Sequence, residues 1–318
     1  MGGAGRPRLR ILRGLIASLA LAGAAVLASP VLASAWNAAG HRTVAAIAWD
    51  AMTPRARARA VALLLHGPAR AKLASLRPAE GTDAERNRAL FLNAATWPDL
   101  VRNRDQDWTV YNRPAWHYAD FYWDVVNGQP HDLPGTGPDS ANAGERIAAF
   151  RAALADASVA DTTKAVDLAW LLHLVGDIHQ PLHCSSRVTP EEPLPRGDVG
   201  GNRFALDDNH NLHAYWDDIL EAGVPRQPGE DSITYATHNA RRIEQEHPGS
   251  ALAGATASRD VAEWEHECLH IVQTVVYDGL RRGAAPTVAY QAEAVTVSER
   301  QIALAGYRLA ALLEEALR

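Results

Sequence analysis

Histidines and aspartates that could bind metal recur in this chain at short, repeated spacings. His173 and Asp177 lie four residues apart in an apolar stretch, His213 and Asp217 repeat that spacing, and His183 lies between the pairs. On a helix, this spacing puts both side chains on one face, close enough to share a metal ion or to bridge two. Imidazole and carboxylate ligands in this number suit a multinuclear zinc centre, which is typical of phosphate-ester hydrolysis.

One such pair alone is equally compatible with a metal-free His–Asp hydrogen bond in the core, because a buried carboxylate needs a partner of some kind. Two pairs joined by Pro181-Leu182-His183 favour the metal centre. Four further candidates complete the set, each an ordinary polar or aromatic residue by itself: Trp36, His41, Asp99 and His117. His266 and His270 also have helical spacing, but Glu263, Glu265 and Glu267 around them predict a solvated face.

The first 35 residues have the pattern of a secretory signal. Four arginines precede an apolar stretch over 15–32, and Ala33-Ser34-Ala35 is a small-x-small cleavage sequence directly before Trp36. The alternative is a membrane anchor, but the stretch is Ala-rich and of borderline length. We therefore expect removal of the segment, export to the periplasm or the medium, and no stable membrane association.

Residues 36–318 are predicted to be acidic and to form one globular domain, because no stretch in them resembles a linker, although their length alone would also allow two small cores. The predicted signal contains four of the 31 basic residues and no acidic residue, which leaves 27 basic against 37 acidic residues in the domain. This balance does not match the basic surface of a duplex-DNA binder, although bound metal ions would change the local field. Two cysteines, Cys184 and Cys268, favour one disulfide in an exported protein; a zinc-bound Cys184 thiolate is the alternative.

Apolar periodicity predicts a mainly α-helical fold with long loops that carry the chemistry. The predicted helices cover residues 38–52, 55–65, 83–95, 141–154, 162–178, 209–220, 233–246, 257–280 and 292–317. The aromatic-rich stretch 109–126 is expected to be extended, and 127–138 to be a Gly/Pro loop. A second long loop, 187–207, is expected at the surface near the site.

The motifs together resemble the S1/P1 nuclease family of zinc-dependent, single-strand-preferring nucleases. The resemblance runs over the whole of 36–318 and rests on Trp36-x-x-x-Gly40-His41, Trp97-Pro98-Asp99-x-x-Arg102, Trp116-His117-Tyr118-x-Asp120, His173-x-x-Gly176-Asp177-x-His179-Gln180-Pro181-Leu182-His183, Gly200-Gly201-Asn202 and Asn211-Leu212-His213-x-x-Trp216-Asp217. It implies the single-domain multi-helix fold that this family shares with zinc-dependent phospholipases C. The chain departs from the family at Asn37, where glycine is usual, and this departure could alter the turn toward His41.

The resemblance implies three zinc ions. One would bind Asp99, His117, His173 and Asp177; a second the α-amine and carbonyl of Trp36 with His41 and Asp177; a third His183, His213 and Asp217. Hydroxide bridging the first two ions would attack phosphorus. The resemblance also implies the substrates, which are single-stranded RNA, single-stranded DNA and 3′-nucleotides, and hydrolysis to 5′-phosphate products. The expected enzyme is therefore an endonuclease and 3′-nucleotidase.

The resemblance also suggests roles beyond metal binding. Arg102 would counter charge on the phosphoryl group, and Asp120 would orient or deprotonate the attacking water. Tyr118, Gly200 and Asn202 would contact the nucleobase by stacking and hydrogen bonding. Without the family, Arg102 is more simply a surface ion pair, Asp120 a cap, and Tyr118 a core residue.

Two alternatives remain at this point. A zinc-dependent phospholipase C uses a related centre, but its motif expects Tyr, Asn and Glu where this chain has Leu174, Ser186 and Asp217. A non-catalytic exported zinc-binding protein would not need Arg102 and Asp120. Nothing in the sequence implies a protein partner, and we expect a monomer.

Overall fold

The computed structural model describes residues 1–3, 36–103, 107–135, 141–207 and 210–318. The predicted signal segment 1–35 therefore lies almost entirely outside the described residues. Residues 33–318 form one compact unit. Among the described residues, we find no helix that is both long enough and apolar enough to pass through a bilayer.

The unit is mainly helical, as expected from the sequence. The helices are α1 (Ala38–Ala51), α2 (Pro54–Leu65), α3 (Asp83–Ala94), α4 (Trp97–Leu100), α5 (Ala143–Ala155), α6 (Asp161–Asp177), α7 (Leu212–Asp217), α8 (Ile219–Gly223), α9 (Ser232–Glu246), α10 (Val261–Ile271) and α11 (Val288–Ala316). Single 3₁₀ turns cover Ala69–Ala71, Leu73–Leu76, Asp107–Tyr111, Pro114–His117 and Pro181–His183, and a π turn over Val272–Val276 continues α10.

Helix ends follow from local sequence. Thr53 caps α2 with Pro54 in its first turn, and Thr82 with Glu85 forms a capping box on α3. Asn142 caps α5, and its side chain accepts from the Glu145 amide. These signals lie within four residues of each helix start, which explains why the sequence locates most helices to within a few residues.

Three predicted boundaries were wrong. Trp97-Pro98 does not simply stop α3 but opens the one-turn helix α4, because proline lacks only an amide that the first turn leaves unbonded anyway. The single helix expected over 209–220 begins later and is divided into α7 and α8 at Asp218. The helix expected over 257–280 is shorter, since α10 begins at Val261 and changes to a π turn at Val272.

A small sheet of order β2-β1-β3 lies beside the helices. Strand β1 (Phe121–Val126) pairs antiparallel with β2 (Gln129–Asp132) and parallel with β3 (Ser185–Arg187). The predicted Gly/Pro loop is thus partly a hairpin: Asn127 and Gly128 take φ values of 52° and 77°, as the two-residue turn requires. The stretch expected to be extended is so only from Phe121, because 3₁₀ turns precede it.

The core lies between α1 and α11 and extends to α5, α6 and α9. It includes six fully buried tryptophans, among them Trp36, Trp97 and Trp216. A disulfide between Cys184 and Cys268, with Cα atoms 6.0 Å apart, ties the segment after His183 to α10. The disulfide prediction is confirmed. In the chain-entropy model, closing this 84-residue separation stabilises the fold by roughly 4 to 5 kcal/mol.

Candidate metal centre

The first group of candidate ligand atoms lies where the last turns of α6 meet the 3₁₀ turn at Pro114–His117. His173 Nε2 and Asp177 Oδ2 are 3.3 Å apart, and each lies 3.0 Å from Nδ1 of His117. All three residues are fully buried. Ligand atoms 2.0–2.1 Å from a tetrahedral metal lie about 3.3 Å from one another, so this spacing suits one ion.

The other oxygen of Asp177 faces α1. Its Oδ1 lies 3.3 Å from Nε2 of His41, whose ring stacks on that of His173 with centroids 3.8 Å apart. Asp99 from α4 approaches the same group, with Oδ1 3.8 Å from His173 Nε2. The two oxygens of Asp177 thus face different histidines, which is the arrangement a bridging carboxylate needs.

Trp36 lies two residues before the start of α1 and is fully buried. Its side chain covers the first turn of the helix, where a Cβ on residue 40 would lie 2.6 Å from Trp36 Cβ; only glycine fits at Gly40. The backbone of Trp36 is therefore fixed one helical turn from His41.

A second group lies between the 3₁₀ turn at Pro181–His183 and α7. His183 Nε2 and His213 Nε2 are 3.2 Å apart, and Asp217 Oδ2 is 3.5 Å from His213 Nε2. Gln180 donates from Nε2 to Asp217 Oδ1 at 2.6 Å, so only the second carboxylate oxygen faces the histidines.

Backbone carbonyls fix which ring nitrogens carry the protons. His183 Nδ1 lies 2.7 Å from the carbonyl oxygen of His117, and His213 Nδ1 lies 2.6 Å from that of Gly200. A carbonyl can only accept, so both Nδ1 atoms donate and both Nε2 atoms hold lone pairs. Two lone pairs 3.2 Å apart beside a carboxylate repel one another, and a metal ion bound between them would relieve the repulsion.

The same argument applies at the first group. His173 Nδ1 donates to the carbonyl oxygen of Ala95 at 2.8 Å, which leaves Nε2 as a lone pair facing Asp177. Neither ring nitrogen of His41 has a hydrogen-bond partner in the described part of the chain. Buried polar atoms without partners are rare in native proteins, and a metal ion bound at this point would supply the missing partner.

Burial sets the protonation states. It lowers the pKa of His173 to about 3 and of His213 to about 4, and it lowers the pKa of His41, His117 and His183 well below the usual value. The five imidazoles are therefore neutral near pH 7, as metal ligands must be.

Burial acts in the opposite direction on the carboxyls. It raises the pKa of Asp177 and of Asp217 well above the usual range, and the charge of Asp99 raises both further. A divalent cation would reverse these shifts by stabilising both carboxylates. The donor set thus fits metal ions.

The predicted residues outside the ligand set lie around these groups. Arg102 is mostly buried, with Nη2 3.3 Å from Asp99 Oδ1. Asp120 is held beside His183, because the amides of Ala119 and Phe121 donate to the carbonyls of His183 and Cys184 at 2.8 and 3.0 Å.

The three residues expected at the base have different surroundings. The Tyr118 ring is 4.6 Å from that of His183, and Asn202 Nδ2 donates to the Val199 carbonyl at 2.9 Å. The carbonyl oxygen of Gly200 accepts from His213 Nδ1, so the contact of Gly200 in this structure is with a candidate metal ligand.

Sequence reasoning missed two contributors. Gln180 belongs to the motif around His183, but its residue type alone does not indicate that it orients a ligand. The carbonyls that orient the histidines have no side-chain signal at all. A further compact group of Glu246, His247 and Glu299 lies outside the centre, but Arg242 already pairs with both of its carboxylates, at 3.3 and 2.7 Å.

Comparison with known proteins agrees with this geometry. The model of the S1/P1 Nuclease family matches residues 36–318. The chain is 25% identical over 303 residues to Nuclease P1 of Penicillium citrinum and to Nuclease PA3 of a Penicillium species, covering 88% of this chain and 97% of each relative. It is 27% identical over 308 residues to Nuclease S1 of Aspergillus oryzae, covering 92% of this chain and 95% of the relative. The buried His/Asp groups, the mainly helical fold and the full-length match together show that this chain belongs to the S1/P1 nuclease family.

Proposed function

We propose that this protein is a zinc-dependent endonuclease and 3′-nucleotidase that hydrolyses single-stranded RNA, single-stranded DNA and 3′-nucleotides to 5′-phosphate products. Membership of the family makes it a hydrolase acting on phosphodiester bonds. One observation carries the proposal. The Nε2 atoms of His183 and His213 face each other 3.2 Å apart, each with a lone pair, and are buried beside Asp217. A metal ion between these atoms would turn their repulsion into coordination.

We assign three zinc ions to the centre. The proposed ligands are Asp99, His117, His173 and Asp177 for the first, the α-amine and carbonyl of Trp36 with His41 and Asp177 for the second, and His183, His213 and Asp217 for the third. Three or four donors per ion leave positions for water and phosphate. When bound, the ions supply Lewis acidity and a water that ionises near neutral pH.

The chain's own residues position the substrate and move the proton. The Arg102 guanidinium lies at the edge of the first group, where it can neutralise negative charge that builds on the phosphoryl oxygens. Asp120 accepts or orients the proton of the attacking water, since its backbone is fixed next to His183. For the base we assign stacking to Tyr118 and hydrogen bonding to Asn202, and Gly200 shapes the segment that contains Asn202.

We further propose that residues 1–35 are a signal peptide and that the protein works outside the cytoplasm as a monomer. The disulfide supports the compartment, because disulfides persist in oxidising environments such as the periplasm and the medium. Single-stranded nucleic acids and nucleotides are the proposed binding partners.

The deciding experiment is metal analysis and hydrolysis on one preparation that begins at Trp36. Zinc per chain is measured first. Cleavage of single-stranded RNA, single-stranded DNA, a 3′-nucleotide and phosphatidylcholine is then followed in parallel, with and without chelator. We expect about three zinc ions per chain and chelator-sensitive release of 5′-phosphate products from the nucleic acids.

Each of the other possible outcomes would reject one part of the proposed function. Hydrolysis of the lipid without cleavage of nucleic acid would assign the protein to the phospholipase C branch. Zinc binding without any turnover would indicate a non-catalytic zinc-binding protein. Cleavage that survives removal of all metal would refute the metal-dependent mechanism.

A further inference from the structure

Asn37, the residue that departs from the family pattern, lies at the point where two candidate ligand segments meet. Its φ of −54° and ψ of 172° are available to any residue, so glycine is not needed here and the turn toward His41 is regular. Asn37 is the N-cap of α1, and its Oδ1 accepts from the amides of Ala39 and Gly40 at 3.0 and 3.2 Å.

The side-chain nitrogen of Asn37 bonds to residues at the start of α8. This Nδ2 atom donates to Asp218 Oδ1 at 2.8 Å and to Glu221 Oε2 at 2.6 Å. The backbone amide of Asn37 donates to the Asp217 carbonyl at 3.1 Å, and its carbonyl accepts from the His41 amide at 3.2 Å. One residue thus contacts the backbones of His41 and Asp217 and directly follows Trp36.

We infer that Asn37 is a positioning residue for the metal centre, one that clamps the amino-terminal Trp36 and the start of α1 onto the α7–α8 segment. This inference rests on the proposed function, in which Trp36 and His41 hold one zinc and Asp217 another. Glycine at this position keeps the backbone bonds but has no amide to join Asp218 and Glu221. In this chain the side chain supplies that second connection between the two ligand segments.

Three variants of the protein that begins at Trp36 test the clamp. Asn37→Gly removes the cap and the tether. Asn37→Asp keeps the cap oxygen but replaces the Nδ2 donor with a carboxylate oxygen facing Asp218 and Glu221. Asn37→Asp combined with Glu221→Gln restores a donor across the gap and removes one of the repelling charges.

The main readout is zinc retention during titration with a competing chelator, and thermal unfolding is measured beside it. Residues that orient metal ligands typically change metal affinity by about 10- to 100-fold. We expect Asn37→Gly to lose one zinc per chain at a chelator concentration roughly tenfold or more below that needed for the unsubstituted protein. Asn37→Asp should lose at least as much, and the added Glu221→Gln should recover part of the loss.

Asp231→Gly is the matched control. Asp231 caps α9 with the same pair of bonds, to the amides of Ile233 and Thr234, and has no part in the centre. Glycine is itself a tolerable N-cap, so this variant should lower the melting temperature only slightly and leave zinc retention unchanged.

The outcomes separate this inference from the proposed function. Failure of the unsubstituted protein to bind zinc would reject the function itself. If that protein binds zinc but Asn37→Gly retains it equally well, the clamp is refuted. Equal zinc loss in Asn37→Gly and Asp231→Gly would also refute it, since general destabilisation would then explain both.

Discussion

At the scale of single residues, the neutral side chain of Gln180 orients the carboxylate of Asp217. It is fully buried, donates to Asp217 Oδ1 and accepts from the Leu182 amide at 2.6 Å. Both ends of the amide are used, so its orientation is fixed. Asp217 is left with one oxygen free to face His183 and His213.

Gln180→Leu should weaken zinc binding by about 10- to 100-fold, because leucine has a similar size but no donor to orient Asp217. Zinc titration against a chelator measures the change. Gln301→Leu is the control, since Gln301 is a buried glutamine of α11 that lies outside the proposed ligand set. If Gln180→Leu retains zinc normally, Gln180 has no orienting role.

Asp120→Asn should keep its zinc and lose turnover by about 10²- to 10⁴-fold, the range that a general acid or base contributes. Zinc content and the rate on a 3′-nucleotide are the two measurements. Asp124→Asn serves as the control, because Asp124 lies four residues further on, in β1, and pairs with His131 at 3.0 Å, away from the centre. Turnover equal in the two variants would remove Asp120 from the mechanism.

At the scale of elements, the segment over 189–206 supports the site through its backbone. Asp198 is buried there, where its Oδ1 accepts from the Arg187 amide and its other oxygen accepts from the Tyr277 hydroxyl. Gly200 follows with a φ of +56° and places its carbonyl against His213. The loop was expected at the surface, but part of it is buried, because the contacts of Asp198 with Arg187 and Tyr277 hold it against the fold.

Gly200→Ala should destabilise the fold and weaken zinc binding together. A Cβ at this position would lie 2.4 Å from the Leu182 carbonyl oxygen, and the left-handed backbone adds strain of about 1 kcal/mol. A melting temperature lower by several degrees is expected by thermal unfolding. The control is Gly254→Ala, where a Cβ would meet nothing within 4 Å. Equal melting temperatures and equal zinc binding in the two variants would mean that the segment around Gly200 accommodates a Cβ without strain.

The packing of α10 on α5 corrects one interpretation. Glu263, Glu265 and Glu267 were expected on a solvated face with His266, and His266 is indeed exposed. Glu265, however, is only 8% exposed and its Oε1 has no partner among the described residues. The sequence pattern failed here because α5 covers this side of α10.

Burial, with the charges of Glu145 and Asp260, raises the pKa of Glu265 to about 7. The folded state therefore binds its proton more tightly than the unfolded state, and this stability is lost as pH rises from about 4.5 through 7. Glu265→Gln should unfold at a higher temperature than the parent at pH 8, by about 2 °C or more, and show no gain at pH 4. Melting curves across this range, with Glu263→Gln as the exposed control, check it. A gain that is the same at both pH values would contradict the assignment.

At the scale of the whole molecule, the centre is a meeting point of distant segments. Its proposed ligands come from Trp36, two residues before α1, from α1, α4, α6 and α7, and from two 3₁₀ turns. The core between α1 and α11 and the Cys184–Cys268 disulfide hold these segments in place. The proposed centre therefore depends on the complete fold, and the α-amine ligand that we propose would make it depend also on how the amino terminus is formed.

A protein that keeps a methionine or a tag before Trp36 should lose most of its activity and about one zinc per chain. A peptide nitrogen cannot replace an α-amine as a ligand, because its lone pair is delocalised into the carbonyl. Zinc analysis and the 3′-nucleotide rate are compared with the chain that begins at Trp36. Full activity and zinc content in the extended protein would exclude the α-amine as a ligand.

The sequence by itself determined the helices and the two local His/Asp pairs, which are the candidate ligands. Caps at Thr53, Thr82 and Asn142 act over one turn, and the spacing of His173 and Asp177 is a property of the helix they share. The motifs likewise identified the family, since they depend only on residue type and order.

Only the tertiary structure decided which residues surround each His/Asp pair and which nitrogen of each imidazole carries the proton. It brought His41 within 3.3 Å of Asp177, although 136 positions separate them, and it set the tautomer of His213 through a carbonyl of Gly200. It also showed Asn37 as a link between segments and Glu265 as buried. Burial and backbone hydrogen bonds across the fold arise from contacts among residues far apart in the chain, and no local pattern encodes them.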